Sequence, residues 1–178
     1  MSLPNVLTVG VIVERCKIDH PWQDHKWRPV GVVAGGPQME PWTMLVQQAD
    51  STQVLVGDSD IELHRKETPA YKHNMESGSP SLYVVLRRTE EDEHPLKVQL
   101  VTASPYEAEA YLESGDEIVE SVPMPALIAQ WVCDFIDTHH IEEVFKKRQR
   151  NKVDIEEHKF GQEPIVSLRQ RMARGTDD

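Results

Sequence analysis

Val9, Val11 and Val13 alternate with Thr8, Gly10 and Ile12 before Glu14 and Arg15, and this period of two constrains the fold more than any other feature of the chain. Successive strand side chains point to opposite faces, so the run predicts a strand with one strongly apolar face. The theme recurs over residues 27–33, 43–47, 53–56, 61–65, 81–88 and 97–102, with Gly-Pro, Asp-Ser and acidic turn clusters between. Thr89-Glu90-Glu91-Asp92-Glu93-His94-Pro95 is charged and ends in proline, which suits an exposed hairpin loop joining two antiparallel strands. There is no internal repeat and no Gly-x-Gly-x-x-Gly or Walker-type loop, so a nucleotide-binding βαβ unit has no support.

Helical signals follow the strands. Ser104-Pro105-Tyr106-Glu107 offers a serine N-cap, a proline at the first helical position and a glutamate at the third, so hydroxyl and carboxylate can satisfy amides left without helical partners. Thr68-Pro69 starts a similar short helix that ends near Gly78, and Pro125 opens the longest one. There Leu127, Ile128, Trp131, Val132, Phe135 and Ile136 recur at helical spacing, a stripe that ordinarily faces the domain's own core. The expected fold is α+β: a mainly antiparallel sheet, able to curl toward a barrel, with the 125–139 helix packed across one face. At 178 residues one domain is the economical division. We place it at 1–153, followed by a weakly ordered tail at 154–178, where Ile155, Phe160, Ile165, Val166 and Leu168 are scattered among charges.

The formal charge of −11 argues against a general affinity for nucleic acid or an anionic membrane, because like-signed fields repel. No apolar run approaches the roughly 20 residues needed to span a bilayer. Residues 1–10 lack the basic start and apolar centre of a secretory signal, so a cytoplasmic location is expected. Cys16 and Cys133 make no metal or redox spacing and are expected to be ordinary reduced residues.

Residues able to recognise something concentrate in Pro21-Trp22-Gln23-Asp24-His25-Lys26-Trp27-Arg28-Pro29-Val30 and Glu40-Pro41-Trp42-Thr43. Trp22, Trp27 and Trp42, three of the four tryptophans, sit beside prolines, His or Arg, where large flat rings meet polar partners. We expect at least two of them to lie together with a ring edge reachable from solvent. Asp24 is expected to orient His25 or pair with Arg28. His20, Asp24 and His25 are candidate metal ligands, but the pattern lacks a second ligand pair, so no bound metal is expected. His64-Arg65-Lys66-Glu67-Thr68 places charged groups at a strand-to-helix junction suited to anions. His139, His140 and Glu143 allow half a metal site at helical spacing, yet Val144 stands where a zinc-hydrolase motif needs histidine, and charge pairing is the simpler reading. Lys146, Lys147, Arg148, Arg150 and Lys152 complement a helix C-terminus. A partner docking on that basic end should present carboxylates, and one docking elsewhere should be basic.

Val11-Ile12-Val13-Glu14-Arg15, the His20 to Val30 segment, Pro41-Trp42-Thr43 and Glu62-Leu63-His64-Arg65-Lys66-Glu67-Thr68 together resemble an uncharacterised bacterial domain family. Residues 80–88, 101–108 and 115–120 carry the same resemblance, which covers roughly 9–150. It implies a proteobacterial cytoplasmic protein often encoded beside formate dehydrogenase and molybdenum-cofactor maturation genes. Some relatives carry names from molybdopterin guanine dinucleotide synthesis, but the glycine-rich loop such a guanylyltransferase would show does not follow residues 9–15. Membership brings no catalytic residue.

The expected function is therefore a non-enzymatic accessory or assembly factor for a molybdenum-dependent formate dehydrogenase. It would bind a protein client, a dehydrogenase subunit or maturation factor, through Trp22, Trp27 and Trp42, with no cofactor. The competing expectation is an enzyme or carrier for a nucleotide-like or pterin cofactor. Tryptophans would stack on the ring, and Arg28, Arg65 or Lys66 would hold phosphate.

Overall fold

The computed structural model describes residues 4–36, 39–91, 93–113 and 115–141. Their elements run β1 (Val6–Lys17), β2 (His25–Ala34), β3 (Thr43–Gln47), β4 (Ser51–Glu62), a 3₁₀ turn (Arg65–Glu67), α1 (Thr68–Glu76), β5 (Ser81–Arg88), β6 (Leu96–Thr102), α2 (Pro105–Leu112), β7 (Glu117–Pro123) and α3 (Ala126–His139). One sheet has the order β2-β1-β4-β3 and the other β6-β5-β7. Every pairing is antiparallel. The expected α+β class is found, but the ladders of the described strands do not close into a barrel.

Alternation in β1 works as the sequence requires. Val9, Val11 and Val13 are fully buried and share one core with Val54 and Val56 of β4, Leu82, Val84 and Leu86 of β5, and Val101 of β6. β4 lies close to β6 and β2 close to β7, with Lys26 Nζ 3.8 Å from Glu120 Oε1 at the second meeting. Each buried Val or Leu contributes roughly 1.5–3 kcal/mol, against at most about 1 for an exposed ion pair, so the shared core and not the surface charge joins the sheets.

Three local expectations are corrected. Residues 53–56 and 61–65 are not separate strands: β4 runs unbroken through Asp58-Ser59-Asp60, and residues 63–65 lie beyond it. The acidic turn reading failed because these residues pair with Thr8, Val9 and Gly10 of β1, and Asp60 accepts the Thr8 hydroxyl at 2.6 Å. β7 was not anticipated. Its acidic residues mask the strand pattern, yet it pairs along β5 from Ser81 to Arg87, where Glu117 accepts from Arg87 at 2.7 Å. Leu127 does not join the helix stripe. It is 65% exposed, while Ile128, Trp131, Val132 and Phe135 are buried.

α3 lies near α1, with the Phe135 ring 6.4 Å from that of Tyr71, and the Trp131 indole donates to the Pro4 carbonyl at 2.8 Å. Residues 142–178 lie outside the described residues, and with them the expected basic helix end and tail.

Candidate functional site

Two places gather the residues singled out by sequence. The first is on the larger sheet, where a ring from β2 meets one from the entrance to β3, although the strand order sets those two strands at opposite edges. Trp27 projects from β2, and Trp42 sits just before β3. Their rings meet edge to face at 5.8 Å. The Arg15 guanidinium lies 5.8 Å from the Trp27 ring, and the His94 imidazole 5.3 Å from Trp42. Both tryptophans are half-buried and pack against the core. The expectation of two neighbouring, partly reachable rings is met by this pair.

Trp22 does not join them. It is 90% exposed on the turn between β1 and β2, and among the described residues it has no ring contact. Sequence reasoning missed Arg15 and His94, because their contacts cross strands and arrive from a distant hairpin loop. That loop is closed by the Thr89 amide donating to the Pro95 carbonyl at 2.9 Å and by the Thr89 hydroxyl on the His94 carbonyl. Glu91 Oε2 lies 3.7 Å from His94 Nδ1 in the same loop.

Trp42 has φ of 66°, a left-handed conformation that costs a large side chain of order 1 kcal/mol or more. Its amide donates to the Leu55 carbonyl at 2.6 Å, and the next residue, Thr43, returns its hydroxyl to the Glu40 carbonyl at 2.6 Å. These bonds and the ring packing hold it there. Beyond Trp42, β3 is an edge strand that, among the described residues, pairs only with β4. Met44 is 56% exposed, and Leu45, Val46 and Met39 are exposed beside it.

Arg28 is not paired with Asp24. Its guanidinium donates to buried Glu14 at 2.7 and 3.0 Å, across the β1–β2 register that sets the two opposite each other. The Arg28 hydrogen bond, joined by the Cys16 thiol at 3.2 Å, holds the Glu14 carboxyl below its usual range. Burial and then Glu14 push the Cys16 thiol up, and burial does the same to Cys133, so neither is a ready thiolate. His20 accepts the Trp22 amide at 3.4 Å, Asp24 accepts the Ile18 amide through its backbone carbonyl, and His25 begins β2. Among the described residues no three of His, Cys, Asp and Glu cluster in a way that could hold a metal ion. His139 packs on Phe135 at 4.6 Å, His140 lies 3.2 Å from the Thr68 hydroxyl, and Glu143 lies outside the described residues.

The second place is a cleft of about 710 Å³ lined by His64, Arg65, Lys66, Glu67, Tyr106 and Glu107. It forms where the exit from β4 faces the first turn of α2. Buried Ser104 joins its two sides: the hydroxyl donates to Glu67 at 3.0 Å and accepts the Glu107 amide at 3.3 Å. Behind it, Asn74 donates to the Ser81 and Ala103 carbonyls at 2.7 and 2.8 Å and accepts the Ser81 amide at 3.1 Å. The Tyr71 hydroxyl accepts the His64 amide at 3.1 Å, and burial pushes that phenol up to about 12. Tyr106, which the sequence marked only as a helix residue, is 57% exposed and stacks on His73 at 6.5 Å. None of the tryptophans lines this cleft among the described residues.

No helix among the described residues is long and apolar enough to cross a membrane. Neither the curated proteins nor the solved structures contain a match to this chain. Residues 8–149 match a family model, and the chain belongs to that family, described as protein of unknown function (DUF3305).

Proposed function

We propose that this protein is a non-enzymatic accessory factor that binds a protein client through the β3 edge and the Trp27–Trp42 pair. The observation that carries this reading is the row Met44-Leu45-Val46, exposed on a strand whose outer side has no partner strand among the described residues. Unpaired backbone groups on an edge strand can add a further strand, and exposed apolar side chains beside them supply contact area. Methionines adapt to varied partner surfaces. The occupant is an extended client segment that alternates apolar with basic residues, because Glu40, Glu90, Glu91 and Glu93 lie on the two loops that meet at Trp42.

The client proposed is a subunit or maturation factor of a molybdenum-dependent formate dehydrogenase, and this part rests on the family resemblance alone. The test is a pull-down with the tagged full chain from a bacterium expressing that enzyme, using wild type and the double variant Met44→Lys, Val46→Lys. A dehydrogenase subunit or maturation factor should be recovered with wild type and lost with the variant. Raising the salt should weaken only the ionic share of the binding, since exposed charges are screened over about 8 Å at physiological ionic strength. Recovery of no such protein, with normal dehydrogenase activity in a deletion strain, would overturn the proposal.

A further inference from the structure

We infer that the cleft between residues 64–67 and the start of α2 binds a mononucleotide-like compound, one that carries a phosphate, a planar ring and free hydroxyl or amino groups. The cleft brings three kinds of group together: the cations Arg65 and Lys66 with His64, the carboxylates of Glu67 and Glu107, and the exposed ring of Tyr106. Its volume of about 710 Å³ falls in the range of small-molecule sites, roughly 300–1,000 Å³.

The cations are the starting point. The chain carries 30 acidic residues against 19 Lys and Arg, so a basic side chain has acidic partners in excess. Arg28, Arg87 and Lys26 each have one, in Glu14, Glu117 and Glu120. Among the described residues no ion pair engages the Arg65 guanidinium or the Lys66 ammonium. Two adjacent cations left open toward a cleft suit a phosphate, which a guanidinium can grip with two parallel bonds.

A bare anion would not use the rest of the lining. Glu67 and Glu107 would repel it, whereas hydroxyl or amino groups on the same ligand would donate to them. Glu67 is already fixed for that role by the Ser104 hydroxyl at 3.0 Å. Tyr106, backed by His73 at an interplanar angle of 16°, offers a ring to stack against. The buried side chains of Asn74 and Tyr71 hold the backbone of both walls, Asn74 by donating to the Ser81 and Ala103 carbonyls and Tyr71 by accepting the His64 amide.

The experiment is calorimetric titration of the full chain with AMP and GMP, set beside adenosine, guanosine and inorganic phosphate. At least one mononucleotide should bind with a stoichiometry of one, and its nucleoside and inorganic phosphate should each bind on the order of tenfold more weakly. The double variant Arg65→Ala, Lys66→Ala should bring the mononucleotide down to its nucleoside, and Tyr106→Ala should bring it toward phosphate. All three side chains are exposed, so thermal unfolding should be unchanged and a folding defect is separable from lost binding. No heat from either mononucleotide at millimolar concentration would overturn the inference. So would binding that the Arg65–Lys66 variant leaves intact, or phosphate binding as tightly as the mononucleotides. Client capture at β3 is independent of these variants, so either reading can fail alone.

Discussion

The Ser104 cleft and the β3 edge are built in opposite ways. Around the cleft, buried side chains close the hydrogen bonds: Asn74 makes three, Ser104 joins Glu67 to α2, and Tyr71 receives the His64 amide. At the edge, Thr43 to Gln47 pair among the described residues with β4 alone, through a register break between Met44 and Val46, and most of their side chains face solvent. A polar site defined by fixed donors and acceptors suits a small ligand of set geometry. An exposed apolar edge suits a flexible polypeptide, which brings its own backbone groups to complete the ladder. The two regions should therefore respond differently to substitution.

The largest contrast is in stability. Asn74→Ala should cost about 3 kcal/mol, because the Ser81 amide and two carbonyls lose a buried partner. Met44→Lys with Val46→Lys should change stability by no more than about 0.5 kcal/mol, as exposed substitutions do. Urea denaturation of both variants measures this. Equal destabilisation would mean that the edge is part of the core, and the contrast would collapse.

A smaller effect concerns Trp42. Alanine removes the ring but keeps a Cβ at φ of 66°, whereas glycine adopts that conformation without strain. Trp42→Gly should therefore be more stable than Trp42→Ala by about 1 kcal/mol, the reverse of the usual order in a strand. Alanine being the better replacement would show that the left-handed backbone is not maintained without the indole.

The smallest effect belongs to neither region. Glu14 sits below its ordinary 4.5 because of the Arg28 hydrogen bond. A carboxyl lowered on folding adds stability above its unfolded value, and that stability disappears as pH falls through the folded value. Glu14→Gln should flatten the unfolding curve against pH below about 4.5 and leave ligand and client binding near pH 7 unchanged. Unfolding measured at several pH values checks this, and an unaltered acid limb would remove the Arg28–Glu14 pair from the reckoning.

Features that depend on near neighbours were legible in the sequence. The hairpin of β5 and β6 followed from the acidic loop that ends in Pro95, and the Ser104 cap from its place before Pro105. The cap differs in one detail: the Ser104 amide turns to the Thr102 hydroxyl at 3.1 Å. What could not be read depends on distant pairing. Asp58 to Asp60 look like a turn until β1 lies beside them, and β7 looks like an acidic loop until β5 does. His64, Arg65 and Lys66 were visible as a cluster, but their junction with Tyr106 depends on a Ser104–Glu67 bond that spans 37 residues. Likewise, Trp27 and Trp42 could be singled out, but His94 arrives from another hairpin.

The most direct test of client binding at the edge is backbone hydrogen exchange on the full chain, free and bound to a captured dehydrogenase subunit. A strand added to β3 predicts slowed exchange at amides within residues 43–47, with residues 64–67 and 105–108 unchanged. Protection confined to 64–67 and 105–108, with 43–47 exchanging as in the free protein, would contradict it.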